Sequence, residues 1–190
     1  QEFDEFYKHV PERVLIILDE AYYEFAKDSP NYPDSMSYRY DNVITLRTFS
    51  KAYGLAGARI GYGFAHDSLI QNLMKVKVPF EPSLTAQVAG LAALDDEAFL
   101  AETLQVNKKG MDFLKQEFDT LNVNQAPSEA NFITTVWDSE EKASQLTQSL
   151  LENGVIVRQL TGFGWPNCIR ISVGLESENQ KFIDSLKDIL

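Results

Sequence analysis

An unbroken apolar run that ends in a carboxylate constrains the fold of this chain more than any other feature. Residues 13–19 read Arg-Val-Leu-Ile-Ile-Leu-Asp, and such a continuous run is typical of a strand in a parallel sheet, buried on both faces. Further strands are predicted at 42–49 and 59–65. From Asp67 onward the hydrophobic period becomes that of helices. Together these patterns predict an α/β fold.

Three helices are predicted in the middle of the chain. The first is capped by Asp67 or Ser68 and stops at Pro79, because proline cannot continue a helix. An alanine-rich helix follows over 83–94, and a long amphipathic helix covers 100–118. A domain boundary is predicted at about 95–98, where the parallel-sheet pattern gives way to the long helix.

The remainder of the chain alternates strands and helices. Strand patterns occupy 131–137, 155–158 and 168–173. Capping-box patterns at Asp138-x-x-Glu141 and Ser177-x-x-Gln180 predict the starts of two further helices. This second part is therefore also predicted to be α/β.

The bulk composition excludes several functional classes. The 190 residues carry a formal net charge of −11, and a field of this sign repels nucleic acid and anionic membranes. No apolar stretch reaches the roughly 18–20 residues of a membrane span. One Cys and two His provide no basis for a disulfide or a zinc cluster. We predict a cytoplasmic protein without nucleic-acid or membrane partners and without a metal site.

Two polar segments follow predicted strands. Asp19-Glu-Ala-Tyr22 comes directly after the first strand, and Ser50-Lys51 comes after the second. Ligands of open α/β sheets bind in the crevice outside the carboxyl ends of the strands. Each residue also has an ordinary explanation, because a carboxylate can cap a turn and a lone lysine is usually a solvated surface charge.

In combination, these residue types fit one cofactor, pyridoxal 5'-phosphate. A lysine that forms a Schiff base needs a pKa below its free value of about 10.4, which the positive charge of Arg59 could produce while that side chain grips a phosphate. Ser50 and Thr48 offer hydroxyl donors to the same phosphate. Asp19 suits the pyridinium nitrogen, which needs a buried anion to stay protonated. Tyr22 can donate to the phenolate oxygen.

The same segments resemble the central motifs of the fold-type I, class I and II aminotransferases. These motifs are Asp-Glu-Ala-Tyr at 19–22 and Ser-Lys-Ala-Tyr-Gly-Leu-Ala-Gly-x-Arg-x-Gly-Tyr at 50–62. The wording Arg-Thr-Phe-Ser-Lys-Ala-Tyr-Gly-Leu-Ala-Gly at 47–57 is similar to histidinol-phosphate aminotransferases. So are Ser-Glu-Ala-Asn-Phe at 128–132 and Cys-Ile-Arg-Ile-Ser-Val-Gly at 168–174. The resemblance covers nearly the whole chain.

The resemblance implies a role for each matching residue of the cofactor site. Lys51 would carry the cofactor and act as the general acid and base. Asp19 would pair with the ring nitrogen and Tyr22 with O3′. Ser50 and Arg59 would bind the cofactor phosphate, and the threonine two residues before the lysine is a weaker candidate.

The resemblance also implies substrate-binding residues. Arg170 would bind the carboxylate of glutamate, or the phosphate that replaces it in histidinol phosphate, and Arg158 would assist. Alternation supports this, because the apolar residues at odd positions of 169–173 share one strand face and Arg170 points to the other. The alternative is a surface arginine on an edge strand. Asn131 is a further candidate and could equally be a turn residue.

The fold implied by the resemblance is the fold-type I transferase fold. Residues 1–95 would form the second half of the large domain, a mostly parallel sheet with helices, and 96–190 the small α/β carboxy-terminal domain. The implied reaction transfers an amino group between L-histidinol phosphate and 2-oxoglutarate in histidine biosynthesis. The full-length enzyme would be a homodimer.

The segment ahead of Asp19 departs from the family pattern. Eighteen residues leave no room for the family's phosphate-binding loop, its aromatic residue stacked on the cofactor and its Asn at O3′. We therefore expect a carboxy-terminal fragment that binds the cofactor weakly by itself. Three alternatives remain. The first is another enzyme of the same fold, such as an aromatic or broad-specificity aminotransferase or a threonine-phosphate decarboxylase. The second is a regulatory or binding domain of aminotransferase type, and the third is a plain α/β interaction domain in which the lysine is coincidental. Turnover of other keto acids would favour the first, and function without Lys51 would favour either of the other two.

Overall fold

The computed structural model describes residues 2–38 and 40–190. The chain divides into two compact units, Gln1–Leu100 and Ala101–Leu190. The domain bounds 1–95 and 96–190 stay a prediction. Within the described ranges, no helix combines the length and the apolar character needed to cross a bilayer.

The first unit contains a three-stranded sheet with helices around it. Its elements, in chain order, are α1 (Glu2–Lys8), β1 (Ile16–Asp19), α2 (Tyr23–Ala26), a 3-10 turn (Ser35–Ser37), β2 (Val43–Thr48), a second 3-10 turn (Ala56–Ala58), β3 (Gly61–Ala65), α3 (Asp67–Val76) and α4 (Leu84–Asp95). The long helix α5 (Glu97–Thr120) begins at the end of this unit and contains the division between the units.

The strand order β1-β2-β3 brings three chain segments to one edge of the sheet. β1 is parallel to β2, with Asp19 opposite Leu46, whereas β3 is antiparallel to β2, with Thr48 opposite Gly61. The carboxyl ends of β1 and β2 and the start of β3 therefore meet at the same edge, which we call the site edge. The apolar pattern did not indicate the direction of β3, because side-chain alternation is the same whichever way a strand runs.

The first predicted strand is shorter than expected and covered on one face only. Val14 N–H donates to the carbonyl of Pro11 at 2.9 Å, so the backbone turns there and β1 starts at Ile16. Ile16 is buried, but Ile17, on the opposite face, is 58% exposed. The prediction of burial on both faces was therefore wrong for this strand.

Two helix starts of the first unit differ in how well the sequence located them. Neither Asp67 nor Ser68 caps α3; the ring Nδ1 of His66 accepts from the backbone N–H of Ser68 at 3.4 Å. The cap is therefore His66, one residue ahead of the predicted Asp67. The predicted start of α4 is confirmed, since the Ser83 hydroxyl accepts from the N–H of Ala86 at 3.2 Å.

The second unit packs helices on one face of an antiparallel sheet with the order β4-β5-β7-β6. After α5 its elements are β4 (Gln125–Ala126), β5 (Phe132–Val136), α6 (Glu140–Glu152), β6 (Arg158–Leu160), a 3-10 turn (Thr161–Phe163), β7 (Trp165–Ser172) and α7 (Glu176–Ile189). Its core combines α5, α6 and α7 with the inner face of the sheet. The largest fully buried members are Leu114, Phe118, Ile133, Leu146, Leu150, Ile169, Ile183 and Leu186.

Both predicted capping boxes of this unit were placed incorrectly. α6 starts after Ser139 rather than Asp138, because the Ser139 hydroxyl accepts from the N–H of Lys142 at 3.2 Å. At α7 the carboxylate of Glu178 accepts from the N–H of Leu175 at 2.7 Å. Asp138 and Ser139 both suit the cap of α6, whereas α7 begins after Leu175, whose side chain is not a capping group.

Candidate functional site

All six predicted cofactor residues belong to the first unit and lie at or beside the site edge. Asp19 ends β1, Thr48 ends β2, and Arg59 lies just ahead of Gly61, the first residue of β3. The Nζ atom of Lys51 lies 5.2 Å from the centre of the Tyr22 ring. The structure thus brings together two segments that are well separated in the sequence.

The loop that carries Lys51 is fixed on both sides of the lysine. Phe49 and Ala52 are buried, with 5% and 1% of their surfaces exposed. The N–H of Gly54 donates to the Lys51 carbonyl at 3.0 Å, and Gly54 adopts a positive φ of 70°, which closes this turn. The lysine side chain itself is exposed. The backbone is therefore held while the amine remains accessible.

Two hydroxyls and a guanidinium lie next to this lysine in the chain. The Thr48 Oγ1 atom lies 2.9 Å from Ser50 Oγ, and the same atom accepts from the Ser50 N–H at 3.1 Å. Arg59 adopts a left-handed conformation with φ of 55°, and its Nη1 donates to the Ala56 carbonyl at 2.9 Å. The guanidinium is exposed and carries further N–H donors. This donor set suits an anion with several oxygens.

Asp19 is less enclosed than the sequence argument required. Its Oδ1 accepts from the N–H of Ala21 at 3.1 Å, and the residue is exposed. It borders an open cleft of about 670 Å³ whose walls include Phe3, Tyr32 and Tyr38. The expectation of a buried anion was therefore wrong for this chain, because Asp19 ends a strand that is covered on one face only.

An ion-pair network beneath the site edge, with Arg47 and Glu20 buried and Asp34 half exposed, was not predicted from the sequence. The Nε and Nη2 atoms of Arg47 lie 2.9 and 2.8 Å from the Glu20 carboxylate, and Nη2 also lies 2.8 Å from Asp34. The guanidinium stacks on the Tyr23 ring at 3.3 Å. The sequence does show an arginine inside an apolar strand pattern, which could have indicated a buried ion pair. Its partners could not be predicted, because they become adjacent only when β1 pairs with β2.

Burial and hydrogen bonding in this network shift several pKa values. Burial would lower the pKa of Arg47, but the hydrogen bonds to Glu20 and Asp34 raise it above its usual value. The pKa of Asp34 is lowered, first by the backbone N–H of Met36 and then by Arg47. Burial raises the pKa of Glu24, whose Oε2 has no hydrogen-bond partner among the described residues.

The two predicted substrate arginines lie side by side in the second unit. Arg158 of β6 is directly opposite Arg170 of β7. Ile169 and Ile171 point into the core, so Arg170 is on the other face, as alternation predicted. The Arg170 Nε is buried without a hydrogen-bond partner in the described part of the chain. Both arginines line an open groove of about 550 Å³.

Two like charges directly opposite each other on neighbouring strands repel. Each guanidinium packs near an aromatic ring, Arg170 at 5.0 Å from the centre of Phe132 and Arg158 at 5.1 Å from the centre of Phe163. An anion between the two arginines would relieve the repulsion. The pair is therefore suited to bind a carboxylate or a phosphate.

Asn131 lies immediately ahead of β5 in the second unit. Its carbonyl accepts from the N–H of Val173 at 2.9 Å, which ties it to the segment that follows β7. The residue is half-buried. The structure thus places Asn131 beside the end of the strand that carries Arg170. This backbone hydrogen bond would equally suit a residue that serves only as a turn.

The chain matches the family model described as aminotransferase class I and II over residues 1–186. The chain belongs to this family. Histidinol-phosphate aminotransferase 2 of Carboxydothermus hydrogenoformans is 42% identical over 191 residues, which cover 100% of this chain and 52% of that protein. Histidinol-phosphate aminotransferase of Akkermansia muciniphila is 44% identical over 192 residues, covering 100% and 51%.

The solved structures confirm the predicted fold class for this aminotransferase-family chain. The crystal structure of histidinol-phosphate aminotransferase from Sinorhizobium meliloti in complex with pyridoxal-5'-phosphate superimposes with a TM-score of 0.87 at 29% identity, covering 100% of this chain and 53% of that one. The chain spans about half the length of the curated relatives it matches. The family resemblance read from the motifs is likewise confirmed.

Proposed function

We propose that this chain carries the cofactor lysine and the substrate arginines of a pyridoxal-phosphate-dependent aminotransferase. One observation carries the proposal: Lys51, an acidic strand end at Asp19 and the phosphate-type donors Ser50 and Arg59 meet at one edge of one sheet. We assign residues 1–95 to the large domain and 96–190 to the small domain of such an enzyme.

The donor chemistry at the site edge fits pyridoxal phosphate. A phosphate needs several N–H and O–H donors, and the guanidinium of Arg59 and the hydroxyl of Ser50 supply them. Thr48 holds Ser50 through the contact between their hydroxyl oxygens. When bound, the cofactor supplies an electron sink for the carbon that bears the amino group of the substrate.

Lys51 would hold the cofactor through its Nζ and would move a proton at that atom. Asp19 would keep the ring nitrogen protonated, because a carboxylate beside a pyridinium stabilises the positive charge. The Tyr22 hydroxyl would donate to the phenolate oxygen of the ring. The fixed backbone on either side of the lysine limits where its amine can reach, which orients the proton transfer.

Arg170 and Arg158 would bind the anionic end of each substrate. Glutamate presents a carboxylate there and L-histidinol phosphate a phosphate, and a guanidinium fork binds both groups in a bidentate way. Asn131 would assist from the neighbouring segment. We propose L-histidinol phosphate and 2-oxoglutarate as the substrates, which the names of the relatives at 42% and 44% identity support. We further propose a cytoplasmic homodimer.

The test is the absorbance of the full-length protein with pyridoxal phosphate, compared with Lys51→Ala and with Lys27→Ala. Lys27 is an exposed lysine of the same unit and serves as the matched control. We expect the Schiff-base band in the wild type and the control but not in Lys51→Ala, and we expect L-histidinol phosphate to bleach it. A band that survives in Lys51→Ala would refute the lysine assignment, and bleaching only by other amino acids would refute the substrate.

A further inference from the structure

The ion-pair network connects the two segments that supply the site edge. Glu20 directly follows Asp19, and Arg47 directly precedes Thr48. The N–H of Glu20 also donates to the Leu46 carbonyl at 2.9 Å, which continues the parallel pairing beyond β1. The network therefore joins the two strands at the level of the proposed cofactor residues.

The central pair is almost fully enclosed. Only 6% of the Arg47 side chain and 8% of the Glu20 side chain are exposed, and two nitrogens of the arginine contact one carboxylate oxygen. Stacking of the guanidinium on Tyr23 restricts its plane, and Tyr23 follows Tyr22 in the chain. One guanidinium thus contacts Glu20, within the Asp19–Tyr22 segment, and Tyr23, directly after it.

The same guanidinium also fixes the long connection between β1 and β2. Its contact with Asp34 is reinforced nearby by a buried hydrogen bond of 3.0 Å between Thr45 and Ser35. The connection therefore returns to β2 at two adjacent points. A lysine could not replace this arrangement, since an ammonium lacks the planar fork that reaches two carboxylates while stacking on a ring.

Arg47 cannot contact a cofactor held by Thr48 and Ser50. Successive side chains of a strand point to opposite faces of the sheet, so Arg47 lies on the face opposite Thr48. Any influence on the site must pass through the backbone of the segments it joins.

We propose that Arg47 is a positioning residue that, through Glu20 and Asp34, fixes Asp19 and Tyr22 relative to Lys51. This inference rests on the proposed function, because it assigns Arg47 a task in the same site. A displacement of about 1 Å at a reacting group can cost about a hundredfold in rate. Loosening this network should therefore lower kcat far more than it changes KM.

The test uses the full-length protein with Arg47→Lys and Glu20→Gln, and Lys187→Met as a matched control. Lys187 forms an ion pair of 2.6 Å with Glu117 in the second unit, so the control also loses one ion pair. Three quantities are measured: amide hydrogen exchange of residues 19–23 without cofactor, the pH at which the bound-cofactor absorbance titrates, and kcat and KM. Glu20→Gln keeps the shape of its side chain and provides the answer if Arg47→Lys does not fold.

We expect faster exchange at residues 19–23, a displaced absorbance titration and a kcat lowered about tenfold or more in the network variants, with KM changed little. The control should match the wild type in all three. If the variants fold and both the exchange and the titration stay unchanged, the positioning role is wrong. Loss of the Schiff-base band in Lys51→Ala would still stand in that case, so this failure and failure of the proposed function are distinguishable.

Discussion

Replacing Gly110 with alanine tests whether the close approach between α5 and the end of β7 is needed for stability. Ordinarily the substitution favours a helix by about 1 kcal/mol. At Gly110, however, an added Cβ would collide with Val173 and would lie 2.8 Å from Nδ2 of Asn179. Because Val173 is β-branched and therefore stiff, it cannot move aside easily.

The second neighbour is also held in place. Asn179 is 4% exposed. Its Oδ1 accepts from the N–H of Gly174 at 2.9 Å, and its Nδ2 donates to the carbonyl of Gly174 at 3.0 Å. Overpacking costs about 1–3 kcal/mol, and weakening these bonds adds about 0.5–1.5 kcal/mol each. After the helix gain of about 1 kcal/mol is subtracted, Gly110→Ala should destabilise the protein by about 1–5 kcal/mol.

Gly90→Ala in α4 is the matched control. An added Cβ there would lie 3.0 Å from Cδ1 of Ile60, the far end of a flexible side chain that can move. We expect this variant to be as stable as the wild type or slightly more stable. We expect Gly110→Ala to lower Tm by roughly 2–4 °C per kcal/mol of destabilisation in a chain of this size. Thermal unfolding followed by far-UV circular dichroism measures Tm for both variants and the wild type. A Gly110→Ala protein with an unchanged or higher Tm would refute the reasoning.

Three further predictions concern a buried carboxyl, the core and the arginine pair. Burial raises the pKa of the Glu24 carboxyl above its value in the unfolded chain. The folded state therefore loses stability as the pH rises from the pKa of the unfolded chain to the higher pKa of the folded state. Glu24→Gln should therefore be more stable than the wild type at pH 7 and lose this advantage in acid, which urea unfolding at several pH values would measure; equal pH profiles would contradict it. Leu146→Ala, at a residue 1% exposed, should cost about 2–5 kcal/mol in the unfolding free energy, and a loss below 1 kcal/mol would show that the site collapses around the cavity. Arg170→Gln should weaken substrate binding by about 1.5–3 kcal/mol, seen as a higher KM, whereas an unchanged KM would remove this residue from the site.

Local patterns predicted the fold where one chain segment determines the structure. The strand at 42–49 and the helix start at Ser83 are confirmed, because a run of strand-forming residues and a serine cap require no distant partner. The motif around Lys51 likewise identified the family, since its residue types and spacing are rarely combined by chance. The cap of α6 was missed by one residue because Asp138 and Ser139 both suit that role.

Long-range pairings could not be predicted from the sequence. Arg47 meets Glu20 only because β1 and β2 align in parallel with Asp19 opposite Leu46. Neither that alignment nor the direction of β3 follows from side-chain alternation. The exposure of Asp19 depends on which layers cover β1, which the strand's own residues do not specify. The roles proposed for the site residues are predictions that Lys51→Ala and Arg170→Gln test.

The antiparallel return of β3 has a consequence for the order in which the site edge forms. β2 and β3 constitute a hairpin, and the single loop between Thr48 and Gly61 contains both Lys51 and Arg59. The entropy cost of closing a short loop is small, and contacts that are near in sequence form early in folding. Asp19 joins only when the longer β1–β2 crossover closes. We therefore expect the lysine and arginine to take up their mutual geometry as a local unit, and the acidic partner to arrive in a later, slower step.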